Sequence, residues 1–586
     1  MRNKLFLINR RALSYLNSFK SGYIKPELGD NKPTHIIIGA GSAGCVLASR
    51  LTENLSNRVL LIEAGPRDWW WNWKIHMPAA LMYNLCNDKY NWFYHTTAQK
   101  NMNSRVIYWP RGRVWGGSST LNAMVYIRGH PFDYDRWHEE GAENWSYKYV
   151  LPYFKKSETF QFAKADDPYR GNSGPLQVTV GECKHPLHQA FIEAGRQMGL
   201  GITNDMNGYK QEGTAPMDMT IYKGVRWSSS KAYLWPILNR PNLYISSGIT
   251  CTRILFHGNK AIGIEYIAKT NFMQSDNIDS YSRDKIYCED SVILAAGAIN
   301  SPQLLMISGI GPADHLRAHN IPVKLHLPGV GQNLQDHLEV YVQQECLKPI
   351  TLYNQSSWKF PHNMVRVGLE WFLSQTGIGA SSHLESGGFV RSSNEVKHPD
   401  IQLHFLPSTV HNDGRTAGSC HAYQIHVGPL RSKSKGHILL ASPDPRRHPL
   451  LNPKYLNHEE DFVEFRKAIR ISRELFAQKC FDEYRGDELA PGRDCQSDKE
   501  IDEFVRCMAA SAYHPSCTCK MGSESDKLAV VNPKTMGIYG LEDIYIADAS
   551  VMPSVISGNI NASTIMIAER AADLIQDYQI VPVWTH

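Results

Sequence analysis

The chain has 586 residues, of which 42% are hydrophobic and 20% are charged, and its formal net charge is +5. This length exceeds what one hydrophobic core usually holds, so we expect two large domains. The positive excess is too small and too dispersed to indicate nucleic-acid binding. No run of about 18 apolar residues occurs, so the sequence predicts no membrane-spanning helix.

Positive charge is concentrated only in residues 1–32. Six Lys and Arg residues precede the first acid, Glu27, and apolar residues lie among them. A basic, acid-free segment of this kind is typical of a mitochondrial transit peptide, and a disordered basic tail is the alternative interpretation. The 12 cysteines are scattered along the chain, which favours reduced thiols in a compartment such as the mitochondrial matrix.

A dinucleotide-binding turn is predicted next. An apolar run at residues 35–38 leads into a glycine turn, a helical segment and a second apolar run that ends at Glu63. Gly39 would permit the tight turn, Gly41 would let the backbone approach a pyrophosphate, and Gly44 would let the helix pack closely on the strand. The pyrophosphate would meet the N–H groups of the helix start, and Glu63 would bind ribose hydroxyls. This pattern does not separate FAD from NAD.

Two longer blocks follow along the chain. Residues 110–124 form a loop rich in Gly and Ser, and residues 295–312 combine a strand end, a turn and a helix start. Such a small-residue loop can bring backbone N–H groups against an anionic or ring-shaped ligand. Together with the first glycine turn, these blocks resemble the signature patterns of the glucose–methanol–choline (GMC) oxidoreductase family. The resemblance extends from about residue 35 to about residue 575.

The resemblance implies an α/β fold of two domains. One is a Rossmann-like FAD-binding domain, and the other is a substrate domain with a mixed or antiparallel sheet backed by helices. The FAD-binding domain would comprise residues 33–180, 240–340 and 510–580. Residues 181–239 would form a connecting or substrate-domain segment, and residues 341–509 would form the substrate-binding domain.

The resemblance also assigns cofactor contacts. Gly117, Asn122 and Ala123 would lie along the flavin and its pyrophosphate, and Asp548 would help to hold the pyrophosphate and the ribitol. Some family members attach FAD covalently through a histidine in this loop. The matching residue here is Leu121, so we expect noncovalent FAD.

Catalytic chemistry is predicted near the C-terminal end. An imidazole can take the hydroxyl proton of an alcohol while a hydride leaves the α-carbon for flavin N5. His514 matches the active-site histidine of the family, and a buried structural histidine is the alternative. Asn559 occupies a position where many members have a second histidine and the choline-type branch has asparagine. A metal site of His514, Cys517 and Cys519 is not predicted, because the set lacks the second half of a zinc pattern.

Two further residues indicate a cationic substrate. A quaternary ammonium group cannot donate a hydrogen bond and is recognised by aromatic faces and a carboxylate. Glu339 matches the position at which choline-oxidising relatives hold the trimethylammonium group, and His404 resembles a second histidine of their substrate pocket. A salt-bridged strand glutamate and a core histidine are the alternatives. Four tryptophans could form part of a cage or pack between domains: Trp69, Trp70, Trp71 and Trp73.

The expected activity is the FAD-dependent oxidation of choline to betaine aldehyde, and a second oxidation to glycine betaine is chemically open. By resemblance, the electrons pass to a quinone-type acceptor, with peripheral contact to the mitochondrial inner membrane on its matrix side. The alternatives are a GMC enzyme that acts on a neutral alcohol, sugar or sterol, one that reduces oxygen, and a non-redox flavin lyase on the same fold.

Overall fold

The computed structural model describes residues 32–268, 283–356, 362–412 and 415–578. The predicted transit peptide, residues 1–32, lies outside these ranges except for its last residue. In the described part of the chain, no helix is both long enough and apolar enough to cross a membrane.

A parallel sheet forms the centre of one half of the molecule. Across the described ranges it has five strands, in the spatial order Leu243–Ser247, Val59–Glu63, His35–Ile38, Ser291–Leu294 and Ile544–Ile546. The three central strands are buried along their whole length, as expected for parallel strands covered on both faces.

The helices of this half begin close to the strand ends. Ser42–Leu51 follows the first strand, Gly297–Ile307 follows Ser291–Leu294, and Asn561–Ile575 packs against Ser42–Leu51. Parallel strands place their carboxyl ends at one edge of a sheet, which is where ligands bind in folds of this type. The predicted cofactor residues therefore converge at this edge.

The second large sheet is antiparallel. Within the described residues its strands are, in spatial order, Arg485–Ala490, Leu338–Cys346, Ala422–Pro429, Ile401–Leu406, Ser386–Val390 and Gly213–Pro216, and Ala510–Ser511 also pairs with the second of these. The helices Pro186–Gln197 and Glu459–Phe476 pack on one face. Alternating side chains of the three central strands make that face apolar: Val340, Val342, Leu403, Phe405, Ile425 and Val427.

The opposite face of the antiparallel sheet is polar. It carries the side chains that alternate with the apolar set: Glu339, Tyr341, Gln343, Gln402, His404, Gln424 and His426. The α/β class and the pairing of a Rossmann-like half with a helix-backed sheet are confirmed. The segment boundaries remain predictions, and Leu338–Cys346 crosses the one placed after residue 340.

The remaining elements surround these two sheets. The other helices are Trp73–His76, Leu81–Leu85, Pro131–Glu139, Tyr147–Ser157, Ala313–Ala318, Asn363–Ser374 and Asp498–Met508. Among the described residues, three smaller sheets have three strands each. One consists of Ile249–His257, Lys260–Ala268 and Asp284–Tyr287, and the second of Gln332–Leu334, Gly436–Leu439 and Leu450–Asn452. The third consists of Glu158–Phe160, Leu176–Val180 and Asp218–Met219.

Candidate active site

The first glycine turn combines two glycines required by packing with one that is not. A Cβ on Gly39, whose φ is +101°, would lie 2.6 Å from the carbonyl oxygen of Ala295. A Cβ on Gly44 would lie 1.8 Å from the carbonyl oxygen of Gly39. A Cβ on Gly41 would meet nothing closer than 3.9 Å. Gly41 lines a cavity whose wall also includes Glu63, His514 and Asn559. Packing therefore explains Gly39 and Gly44, whereas the open space at Gly41 suits a ligand.

The second glycine loop lies directly against the first turn. The φ of Gly117 is +54°, and a Cβ there would approach the Cα of Gly41 to 2.7 Å. The N–H of Gly116 donates a hydrogen bond to the carbonyl oxygen of Ala40 at 2.7 Å. Gly117 and Ala123 both line the cavity. The two loops thus form one continuous wall of backbone.

Asn122 is oriented by its neighbours. Its Oδ1 accepts hydrogen bonds from the backbone N–H of Met124 at 3.1 Å and from Nη1 of Arg226 at 2.9 Å. Nη1 of Arg226 also donates to the carbonyl oxygen of Asn122 at 2.6 Å, and its Nε donates to that of Ile75 at 2.9 Å. Asn122 lines the cavity, so its amide NH₂ is the group left for a ligand.

Glu63 lies at the end of the second parallel strand. Its carboxylate accepts hydrogen bonds from the backbone N–H groups of Ala40 at 3.0 Å and Gly65 at 2.8 Å. Burial raises the pKa of Glu63 to about 7, and these N–H groups oppose the rise. A buried acid at this strand end, on the cavity wall, fits the ribose hydroxyls of a dinucleotide.

Asp548 joins two neighbouring segments. Its carboxylate accepts hydrogen bonds from the backbone N–H of Gly297 at 2.9 Å, the hydroxyl of Ser301 at 2.6 Å and the backbone N–H of Ser550 at 2.8 Å. Asp548 also lines the cavity. It therefore holds the start of helix Gly297–Ile307 against the wall of the cofactor site.

His514 and Asn559 lie at the other end of the same cavity. Nε2 of His514 is 3.2 Å from Nδ2 of Asn559, and its Nδ1 is 3.0 Å from Nδ1 of His337. The backbone N–H of His514 donates to Asp336 at 2.7 Å. Asp336 also accepts hydrogen bonds from the hydroxyls of Tyr455 and Ser511. The imidazole is thus held from its backbone and from both ring nitrogens.

The hydrogen-bond partners of His337 and His514 determine which of their ring nitrogens carry protons. Nε2 of His337 is 3.0 Å from the carbonyl oxygen of Leu430, which can only accept, so this nitrogen carries a proton. Nδ1 of a neutral His337 is then an acceptor, and Nδ1 of His514 must donate to it. Nε2 of His514 is consequently unprotonated and faces the amide of Asn559. An unprotonated imidazole nitrogen on the cavity wall can serve as a general base.

Burial keeps these imidazoles neutral. It lowers the pKa of His514 well below the usual value for histidine, and His337, Arg111 and His404 lower it further. The pKa of His337 and that of His404 are each lowered to about 4, chiefly by burial, while the charge of Glu339 acts in the opposite direction on both.

Asn559 connects His514 to the polar face of the antiparallel sheet. Its Oδ1 accepts a hydrogen bond from Nε2 of Gln402 at 3.1 Å and lies 3.4 Å from Nε2 of His404. Because its oxygen faces these two residues, its NH₂ group faces His514. The predicted residues His404, Asn559 and His514 are therefore neighbours.

Glu339 lies on the same polar face, on the strand Leu338–Cys346. Its Oε1 is 2.9 Å from Nδ1 of His426, whose ring lies 4.3 Å from that of Tyr341 between centroids. Among the described residues, no Lys or Arg forms an ion pair with Glu339. In the alternative of a salt-bridged glutamate, the partner of Glu339 in the described part of the chain is thus His426.

Nine of the twelve predicted site residues line the cavity: Gly39, Gly41, Glu63, Gly117, Asn122, Ala123, His514, Asp548 and Asn559. Gly44 lies beneath the turn, and Glu339 and His404 lie on the polar face of the antiparallel sheet, where His404 contacts Asn559. None of the four tryptophans is among the lining residues, and Trp70 and Trp71 are 73% and 49% exposed. The cavity is instead lined by Trp92 and Tyr513.

Several residues that shape the site were missed from the sequence. They are Arg111, Arg226, His337, Gln402, Gln424 and His426. His337 stands two residues before Glu339, so period-two alternation on that strand was a usable signal. Gln402 stands two residues before His404 and gives the same signal, and Arg111 lies within the glycine-rich block 110–124. Arg226, Gln424 and His426 belong to segments that no sequence pattern marked.

Comparisons with known proteins agree with this geometry. Family models described as GMC oxidoreductase match residues 34–339 and 432–568. The mitochondrial choline dehydrogenase of Mus musculus is 56% identical over 94% of this chain and 91% of its own length. The oxygen-dependent choline dehydrogenase of Staphylococcus xylosus is 44% identical over 94% of this chain and 97% of its own.

A solved structure extends the likeness to three dimensions. Pyridoxine 4-oxidase from Mesorbium loti superposes with a TM-score of 0.82 at 30% identity. The match covers 94% of this chain and 100% of that one. The likeness therefore includes both large sheets and the site between them.

Proposed function

The chain belongs to the GMC oxidoreductase family, and from this membership we propose that it oxidises choline to betaine aldehyde. FAD is its cofactor, and the open space at Gly41 and the buried Glu63 fit that group. When bound, FAD supplies the acceptor for the two electrons and the hydrogen that leave the alcohol carbon. The relatives from mouse and Staphylococcus xylosus are both named as choline dehydrogenases, which supports this substrate.

His514 acts as the base in this proposal. Its Nε2 is unprotonated, so it takes the hydroxyl proton of the alcohol. Asn559, whose NH₂ group lies 3.2 Å from that nitrogen, donates a hydrogen bond that orients the alcohol oxygen. Gln402 holds Asn559 in this orientation.

Glu339 selects the cation, and this is the observation on which the substrate proposal depends. Its carboxylate stands on a face whose other side chains are amides, imidazoles and a phenol, and its polar partner among the described residues is His426. A negative charge without a Lys or Arg partner attracts a quaternary ammonium group, and Tyr341 offers an aromatic surface beside it. A neutral sugar or sterol would gain nothing from this charge.

FAD is held noncovalently in this proposal. Leu121, at the position where some family members carry the histidine that links FAD, packs with Ile75, Tyr90 and Val114 and lines the cavity. A leucine side chain offers no nucleophile. We expect denaturation in acid to release all of the flavin into the supernatant.

The electron acceptor is proposed to be a quinone, with peripheral contact to the mitochondrial inner membrane on its matrix side. The name of the mouse relative supports the mitochondrial location. The name of the Staphylococcus xylosus relative supports oxygen as the second candidate. Peroxide yield in air, compared with the rate of reduction of a soluble quinone analogue, distinguishes the two.

The substrate is tested by anaerobic mixing of the purified holoenzyme with choline. We expect the flavin absorbance to bleach, and no bleaching by any alcohol would support a non-redox lyase. Glu339→Gln should lower kcat/KM for choline about 100-fold, since removing one member of a charged contact costs a few kcal/mol. The value of kcat/KM for the neutral carbon isostere of choline, which has carbon in place of nitrogen, should change less than about threefold. Equal losses for both alcohols would refute the cation role.

A further inference from the structure

A line of hydrogen bonds runs across the polar sheet face and ends at Glu339. It begins at the backbone of Val410, passes through Gln424 and His426 on the strand Ala422–Pro429, and reaches Glu339 on the neighbouring strand. Because its first member is a backbone amide, the direction of every bond along the line can be assigned.

The carboxamide of Gln424 is oriented by two donors. The backbone N–H of Val410 donates to Oε1 of Gln424 at 3.0 Å, and a backbone N–H can only donate. Nε2 of Gln343 lies 2.9 Å from the same oxygen and 3.2 Å from the carbonyl oxygen of Val410. That carbonyl can only accept, so the amide of Gln343 also presents its donor side. The NH₂ group of Gln424 must therefore face His426.

The orientation of Gln424 in turn fixes the tautomer of His426. Nε2 of Gln424 is 2.6 Å from Nε2 of His426, so this ring nitrogen must offer its lone pair. The proton of the neutral ring is then on Nδ1, which donates to Glu339 at 2.9 Å. A doubly protonated ring would place two donors 2.6 Å apart. Glu339 thus receives a hydrogen bond from an uncharged partner.

We propose that Gln424 is a specificity-determining residue, which anchors the ring of His426 at Nε2 so that its Nδ1–H holds the carboxylate of Glu339 in place for a cationic substrate. Without this anchor the ring would be free to turn, and the carboxylate would lose the donor that holds it. The proposal rests on the proposed role of Glu339 in binding choline.

Three other groups surround His426. Tyr341 lies against its ring, His404 lies on the adjacent strand Ile401–Leu406, and Glu339 accepts the hydrogen bond from its Nδ1. The NH₂ group of Gln424 holds the opposite end of the ring at Nε2. Removing that NH₂ group should therefore let the ring turn and loosen its hydrogen bond to Glu339.

The readout is the ratio of kcat/KM for choline to kcat/KM for its neutral carbon isostere. Both alcohols use the same base and cofactor, so a change at His514 or in flavin content cancels in this ratio. For Gln424→Leu, we expect the ratio to be about tenfold lower than in the wild-type holoenzyme at the same pH. In the variant His426→Asn, the amide NH₂ group can donate to Glu339 without an anchor, so adding Gln424→Leu to that variant should leave the ratio unchanged.

Each outcome has a separate meaning. A ratio equal to the wild-type value in a flavin-loaded Gln424→Leu enzyme would overturn the proposal. A further loss when Gln424→Leu is added to His426→Asn would also overturn it, because Gln424 would then act by a route other than His426. A wild-type ratio near one would instead contradict the proposed function, because Glu339 would then not distinguish a cation from a neutral alcohol.

Discussion

The imidazoles of His337 and His514 face each other through their Nδ1 atoms, which lie 3.0 Å apart with the ring planes at 84°. One of the two nitrogens must carry a proton for this contact to be attractive. The carbonyl oxygen of Leu430 decides which one, because it requires the proton of His337 on the far nitrogen. Nε2 of His514 is therefore left unprotonated because of a residue outside its own motif.

His337→Leu should lower kcat for choline about fivefold with little change in KM. The variant removes the acceptor that fixes the tautomer of His514, and one neutral hydrogen bond is worth about 1 kcal/mol. His337→Asn is the matched variant, since its Oδ1 can accept the same proton while the bond to Leu430 is lost in both. Steady-state kinetics with measured flavin content checks this. Equal kcat values for the Leu and Asn variants would contradict the assigned tautomer.

Arg111→Met should move the acidic limb of the kcat/KM profile to higher pH. His514 must be neutral to act as a base, and burial keeps its pKa well below the usual value, with Arg111 lowering it further. Removing a nearby positive charge raises that pKa, so activity is lost at a higher pH than in the wild type. Arg111→Lys keeps the charge and should leave the limb in place. A limb that is identical in the Met variant and the wild type would exclude this coupling.

Gly41→Ala should fold but retain little flavin. The added Cβ meets no protein atom closer than 3.9 Å and projects into the cavity that the pyrophosphate would occupy. Gly368→Ala is the control, since its Cβ also meets nothing and lies on the helix Asn363–Ser374. The measurement is the ratio of flavin to protein after desalting. Full flavin retention by Gly41→Ala would show that this glycine does not serve the cofactor.

Arg226→Lys should weaken flavin binding by about tenfold or more. The guanidinium joins the carbonyl oxygens of Ile75 and Asn122 and the side chain of Asn122, and an ammonium group cannot reproduce this planar set of donors. Titration of the apoprotein with FAD measures the effect. Arg366→Lys, on the exposed side of the helix Asn363–Ser374, is the control and should bind FAD normally. Unchanged affinity in Arg226→Lys would remove its positioning role.

Much of the cofactor site could be predicted from the sequence. Gly39, Gly41, Gly44 and Glu63 fall within 25 residues, and their roles follow from a strand, a turn and a helix that are contiguous in the chain. The signature blocks added Gly117 and its neighbours by resemblance. Short-range backbone geometry dominates such motifs, so local sequence is sufficient to find them.

The substrate side depended on tertiary structure. His514 and Asn559 could be named from motifs, but the proton position on His514 depends on Leu430, which lies on another segment. The partner of Glu339, His426, reaches it because two strands pair in antiparallel register, and Gln424 contacts His426 along the second of these strands. The sequence by itself determined which groups can carry charge or protons. Only the fold decided which nitrogen holds each proton, because hydrogen-bond direction is set by whichever donor or acceptor the packing places opposite it.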